Sequence, residues 1–219
     1  MKAKLISHSQ TPKVEVPQST LDLIAYCARV SNPSNQNNTE TNEKLVKYLM
    51  KHKHWSPLEM VSACIEIETT RDIARQILRH RSFSFQEFSQ RYADPTKDLE
   101  FEIRDARLQD PKNRQNSIDA APQITQDLWD IKQQEVINLS KEVYEWAIKE
   151  GIAKEQARAV LPEGNTVSRM YVNGTLRSWI HYIELRGANG TQLEHIEIAK
   201  EVAKVIHEIF PLTLQNETV

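Results

Sequence analysis

The sequence predicts an α+β fold, and three observations carry that prediction. From Cys64 to Thr69 the residues alternate, Ile65 and Ile67 against Glu66 and Glu68, as in a strand buried on one side. Longer segments repeat apolar residues at helical spacing, the last through Ile196, Ala199, Val202, Ile206 and Ile209. With 219 residues, 39% of them hydrophobic, the chain can cover one sizeable core, and neither an internal repeat nor a low-complexity tract divides it. One domain over residues 1–219 is therefore expected.

In chain order, Lys2 to His8 reads as a short strand and Leu21 to Val30 as a helix. The Asn, Ser and Pro cluster from Ser31 to Thr39 is a loop, and Thr41 to Lys53 is again helical. After the Cys64–Thr69 strand, Thr70 is placed to cap a helix over Arg71 to Arg81, with Asp72 favouring its first turn. Residues 92–117 are polar, interrupted by Pro95 and Pro111, and read as an excursion containing a short strand at Leu99 to Ile103. A long amphipathic helix follows, with Ile124, Leu128, Ile131, Leu139, Val143 and Trp146 near one face and Gly151 as its C-terminal cap. Pro162 ends a short helix at Leu161. Thr166 to Val172 reads as a strand, and Thr175 to Arg186 as a helix with Leu176, Ile180 and Ile183 inward.

The charge balance excludes several functions. Lys and Arg number 28 against 30 Asp and Glu, a net of −2, so neither a basic nucleic-acid coat nor an acidic tail is expected. No apolar run approaches the roughly 20 residues of a membrane helix, and residues 1–20 hold no signal-peptide stretch, which predicts a soluble, cytoplasmic protein. Cys27 and Cys64 lie in apolar surroundings and read as small core residues, not as a disulfide framework or a zinc site. His52 and His54 lack an acid at ligand spacing, so no metal is expected. Neither GxGxxG nor GxxxxGK[ST] occurs, so arginines must do most of the holding of any phosphate.

Arg71, Arg75 and Arg79 fall four apart and share a helix face. Exposed like charges at that spacing cost roughly 0.2–0.5 kcal/mol per pair, so anions are expected to meet them. Arg81, Ser84, Glu87 and Ser89 follow closely, a set suited to a ligand with a phosphate and a polar ring edge. Two alternatives stay open on these residues: a salt-bridged surface helix, or an RNA patch with Phe83, Phe85 and Phe88 as stacking platforms.

Arg79-His80-Arg81, then Ser84, Glu87, Ser89 and Arg91, resembles the RHRxxSxxExSxR signature of the flavin-dependent thymidylate synthases. Ala28-Arg29-Val30-Ser31 resembles that family's ARVS loop, and His54-Trp55-Ser56-Pro57-Leu58-Glu59 its H-x-[ST]-P-x-E segment. Glu155 to Pro162 follows its E-x-A-R-x-x-L-P element, while Leu176-Arg177-Ser178-Trp179 and Leu185-Arg186 resemble its last motifs. The chain departs from the pattern at Phe85-Gln86, at Gln90, where glycine is common, and at Gly187 to Gly190, which lacks a histidine some members carry.

The resemblance implies reductive methylation of dUMP to dTMP, with methylenetetrahydrofolate as carbon donor and NADPH as reductant through bound FAD. It implies a twisted antiparallel sheet flanked by helices in a homotetramer whose active sites form where subunits meet. By resemblance Arg186 is the catalytic residue: a guanidinium beside the pyrimidine N3 and O2 favours the ionised ring, so no cysteine nucleophile is needed. The matched dUMP positions are Gln76, Arg79, Glu87 and Ser89, followed by Gln90, Arg91, Arg158 and Arg186 itself. Ser89 is assigned to orienting the nucleotide, because no base is fixed beside it. The matched FAD positions are Ser31, Ser56, Glu59, Arg79 and His80, then Arg81, Glu87, Arg177 and His181.

Overall fold

A computed structural model describes residues 1–11 and 19–214. Its centre is a sheet of four strands in the order β1, β2, β6, β3, with every neighbouring pair antiparallel. These are β1 (Lys2–His8), β2 (Ser62–Thr70), β3 (Ser84–Glu87) and β6 (Val167–Thr175). The two-residue strands β4 (Leu108–Gln109) and β5 (Ser117–Ile118) pair separately.

The alternation in β2 becomes a division of the sheet into two faces. Ala63, Ile65 and Ile67 are buried, and on β6 they stand opposite Gly174, Val172 and Met170, also buried. On the other face, Glu68 pairs with Arg169 and Tyr171 is partly exposed. Side chains two apart share a face, so the apolar half needs a helical cover. The α7 helix (Leu176–Gly187) and the α8 helix (Leu193–Ile209) supply it, through Leu176, Trp179, Ile180 and Ile183 and through Ile198, Ala199, Val202 and Ile206. Trp179 is 1% exposed, and its indole N–H donates to the Ala63 carbonyl at 3.0 Å.

Of the other helices, α1 (Thr20–Ala28) and α2 (Asn42–Lys51) pack together, and Ser19 caps α1 by accepting from the Asp22 N–H. The α3 helix (Arg71–Ile77) stops a turn before Arg81, because the N–H groups of Arg79 and His80 turn back to the carbonyls of Gln76 and Ile77. That early stop brings Phe83 inward, 4.5 Å from the Trp179 ring. Gly174 makes room for it: a Cβ there would lie 2.3 Å from Phe83 Cδ1. Thr70 precedes α3, but its hydroxyl donates to Asp72 and accepts from Arg104, so it does not bond the helix backbone.

Two expectations fail in the polar excursion and the helix after it. The strand at Leu99 to Ile103 reduces to one bridge between Phe101 and Thr166, and α4 (Pro95–Asp98) is a single turn. The long α5 helix (Gln123–Lys149) turns a different face to the body than its apolar pattern predicts. Ile124, Leu128, Ile131, Leu139 and Trp146 are all more than half exposed. Two glutamines set the orientation. Gln133 accepts from the Arg104 N–H and donates to the Arg104 carbonyl, and Gln126 does the same with Ala106. These paired bonds satisfy backbone that the excursion lacks the strands to satisfy. Gly151 ends α5 with φ +78, as expected, and α6 (Lys154–Ala157) leads through a 3-10 turn to Leu161 and Pro162.

Candidate active site

Most of the residues singled out from the sequence fall into three groups, with Ser31, Arg79 and Arg81 outside them. The first surrounds Arg186 in the last turn of α7. Its Nε donates to His80 Nε2 at 2.9 Å, and the His80 ring stands edge-on to Tyr182 at 5.1 Å. An imidazole that accepts at Nε2 is neutral and carries its proton on Nδ1. Burial, and then the Arg186 charge, push the His80 pKa down to about 4. The positive charge at neutral pH therefore resides on Arg186, whose two terminal nitrogens have no partner among the described residues. Gln76 on α3 joins this group by donating to Gln192.

A cleft of about 280 Å³ gathers the second group, lined by Arg71, Arg75, Arg158, Gln90, Glu155 and Glu163. Glu87 accepts from the Ser168 hydroxyl at 2.7 Å and faces Arg71 at 3.5 Å. Arg75 is bound by Glu163, and Arg91 by Glu155 at 3.4 Å. Arg158 has no carboxylate partner among the described residues, and Gln90, 4% exposed, leaves its Nε2 without one. The Ser89 hydroxyl accepts from the Arg91 N–H at 3.4 Å.

The third group lies along the outer face of α7. Arg177 pairs with Glu59, which follows Ser56 in a short 3-10 turn, and His181 stands edge-on to Trp55 at 4.6 Å. Ser31 lies apart: it lines a separate cleft of about 550 Å³ with Asn32 and Tyr48. There the buried Arg29 holds the loop by donating to the Asn38 carbonyl and the Thr41 hydroxyl.

The geometry also sorts the alternatives. The expected three-arginine stripe shortens to Arg71 and Arg75, which carboxylates of this chain engage as the salt-bridge alternative requires. Arg79 and Arg81 lie beyond the helix, exposed, with no ion-pair partner among the described residues. Phe83 is core, against Trp179 and Tyr182, so it cannot be a stacking platform. His52 and His54 cluster with the Tyr48 ring, and burial raises both thiol pKa values. Trp129 and Trp146 are exposed on α5.

Tyr182 and His195 were not singled out from the sequence, yet both are almost wholly buried beside this site. The spacing His195, Ala199, Val202, Ile206 on α8, and Trp179 to Tyr182 on α7, carried the signal that these polar groups face the core.

The sequence profile of the family described as thymidylate synthase complementing protein matches residues 14–212. The chain belongs to the flavin-dependent thymidylate synthase family. It is 49% identical over 211 residues to a probable flavin-dependent thymidylate synthase of Paramecium bursaria Chlorella virus 1, with 96% of each chain covered. A flavin-dependent thymidylate synthase of Synechocystis sp. is 50% identical over 195 residues, covering 89% of this chain and 88% of that one. Among solved structures, the UMP/dUMP methylase PolB of Streptomyces cacaoi, bound with 5-Br dUMP, superposes with a TM-score of 0.78. That likeness spans 97% of this chain and 92% of the other, at 23% identity, and concerns the fold. As a member of the flavin-dependent thymidylate synthase family, the chain is an enzyme.

Proposed function

We propose that this chain methylates dUMP to dTMP reductively, taking the carbon from methylenetetrahydrofolate and the hydride from NADPH through FAD. The observation that carries the reading is Arg186, a charged guanidinium aimed by its bond to a neutral His80, with both terminal nitrogens unpartnered among the described residues. Placed beside N3 and O2 of the uracil, it stabilises negative charge on the ring as the proton at N3 is polarised, and C5 becomes nucleophilic. No cysteine is needed for that activation, and the raised thiol pKa values of Cys27 and Cys64 agree.

Arg91 and Arg158 hold the nucleotide phosphate, the first exchanging Glu155 for it. Gln76, Arg79, Glu87, Ser89 and Gln90 orient the rest of dUMP. The residues present also fit a flavin dinucleotide: Arg79 and Arg81 are cations without carboxylate partners among the described residues, and Trp55 with His181 forms an aromatic wall. Ser56, Glu59 and Arg177 border that wall, while His80, Glu87 and Ser31 reach the cofactor from the other groups. When bound, FAD supplies the hydride carrier between nicotinamide and nucleotide.

The groups lie apart in one chain, and the exposed apolar face of α5 offers a surface for a second copy. The whole chain is read as one catalytic domain of a homotetramer with active sites between subunits, working in the cytoplasm, or in a host's cytoplasm if the source is viral. The test is the visible spectrum of the purified protein. A flavin band that bleaches with NADPH, and dTMP formed only when folate and dUMP are present, is the expected result. Colourless protein that takes up no added FAD would falsify the reading.

A further inference from the structure

We infer that Glu194, Gln192, His195 and Tyr182 form a one-directional hydrogen-bond chain that fixes the side-chain amide of Gln76 and so sets the affinity for dUMP. The inference rests on the proposed function. Its direction begins at Glu194, which is 5% exposed and bonded to Arg107 at 2.6 Å. An ionised carboxylate only accepts, so the Gln192 Nε2 donates to it, at 2.9 Å. The Gln192 Oε1 is left to accept, and the Gln76 Nε2 donates to it at 2.9 Å. The Gln76 Oε1 then faces His195 Nδ1 at 3.1 Å, which must carry the proton. His195 Nε2 is thereby an acceptor, and the Tyr182 hydroxyl, 3.1 Å away, donates to it.

Every link has one polarity. A flip of the Gln76 amide sets donor against donor at His195 and acceptor against acceptor at Gln192. Burial, and then Arg186 and His80, push the His195 pKa down to about 3, so no second proton arrives to reverse the chain. Burial likewise keeps the Tyr182 phenol protonated, with Arg186 opposing only in part. His195 is 0% exposed and Tyr182 1%, and a buried polar chain of this kind requires every member satisfied. What it delivers is one orientation of an amide on α3, beside the His80–Arg186 pair that Tyr182 touches by its ring. His195 is thus a positioning residue, acting through Gln76.

The test uses the FAD-loaded full-length enzyme and measures the dUMP dissociation constant, KM and kcat, flavin affinity and thermal midpoint. His195→Leu and the more accessible Gln192→Leu each break the chain on one side of Gln76. Each is expected to weaken dUMP binding and raise its KM roughly tenfold, with flavin affinity and kcat at saturating dUMP retained. His195→Asn places an N–H donor near the Nδ1 position and is expected to restore most of the affinity. Two results overturn the inference: dUMP affinity untouched in folded Gln192→Leu and His195→Leu, or an equal loss for dUMP and flavin without rescue by asparagine. The two failures separate, because wild-type enzyme that binds no dUMP sinks the functional reading itself, and the affinity claim with it. Normal wild-type binding that both leucine variants leave unchanged sinks the chain alone.

Discussion

The two ends of α7 carry the same residue type in opposite surroundings. Near its start, Arg177 pairs with Glu59, with side chains 42% and 39% exposed. In its last turn, Arg186 donates to the half-buried His80, whose ring stands on Tyr182, itself bonded to the buried His195. Water competes for the first pair and screens it, so it is worth about 0–1 kcal/mol and a ligand can replace either partner cheaply. Behind Arg186, Tyr182 and His195 are shut off from water, so their polar groups depend on each other and the geometry is held. One helix thus presents an exchangeable end and a rigid end, and the proposed chemistry belongs to the rigid one.

That contrast can be broken at several points. Arg186→Ala should lower turnover by on the order of 10²–10³ or more while flavin stays bound, measured as dTMP formed per flavin. Retained turnover would remove Arg186 from the catalytic role. Just before α7, Gly174→Ala drives a Cβ into the Phe83 ring, 2.3 Å from Cδ1. Overpacking of that kind costs about 1–3 kcal/mol, to be read from urea unfolding. An unchanged urea midpoint would mean Phe83 has room to move. His80→Ala should reduce flavin affinity on the order of tenfold by releasing both Arg186 and a cofactor contact. Equal flavin occupancy in the variant contradicts that assignment.

The rigid end also predicts a pH response. An unfolded histidine takes up its proton near the ordinary 6.5, whereas folded His80 does so only near 4. Between those values the unfolded state binds more protons, so stability is fully present above pH 6.5 and declines as pH falls towards 4. His195, with its pKa near 3, extends the decline below that. Thermal midpoints across the range should fall, less steeply in His195→Asn than in wild type; parallel curves would exclude His195 as a contributor. The smallest effect belongs to the exchangeable end, where Glu59→Gln should change stability by less than about 1 kcal/mol. A larger loss in calorimetry would mean the pair is more shielded than its exposure indicates.

The sheet was legible because β2 is buried on one side only, which forces its alternation, and the glycine-terminated end of α5 was legible for an equally local reason. The arginine-rich stretch is plain in the sequence, yet Glu163 and Glu155, the carboxylates that Arg75 and Arg91 meet, lie far away in the chain and are reached only on folding. The apolar stripe of α5 predicts a core face, yet the structure turns it outward. Gln126 and Gln133, polar and unremarkable in a helical pattern, anchor the helix through backbone of the excursion instead. His195 and Tyr182 were hidden for a similar reason, since a polar side chain on a core stripe shows its partner only in three dimensions.

What the order of residues determined by itself was local: the alternation of β2, the helical period of α7 and α8, and which short motifs the chain carries. Periodicity and capping depend on neighbours a few positions away, so they are written in the chain. The tertiary structure decided which face α5 turns outward, which arginines keep free guanidinium groups, and which way a buried amide points. Those outcomes depend on hydrogen bonds between residues as far apart as Gln76 and His195, and such bonds exist only once water has been excluded between them.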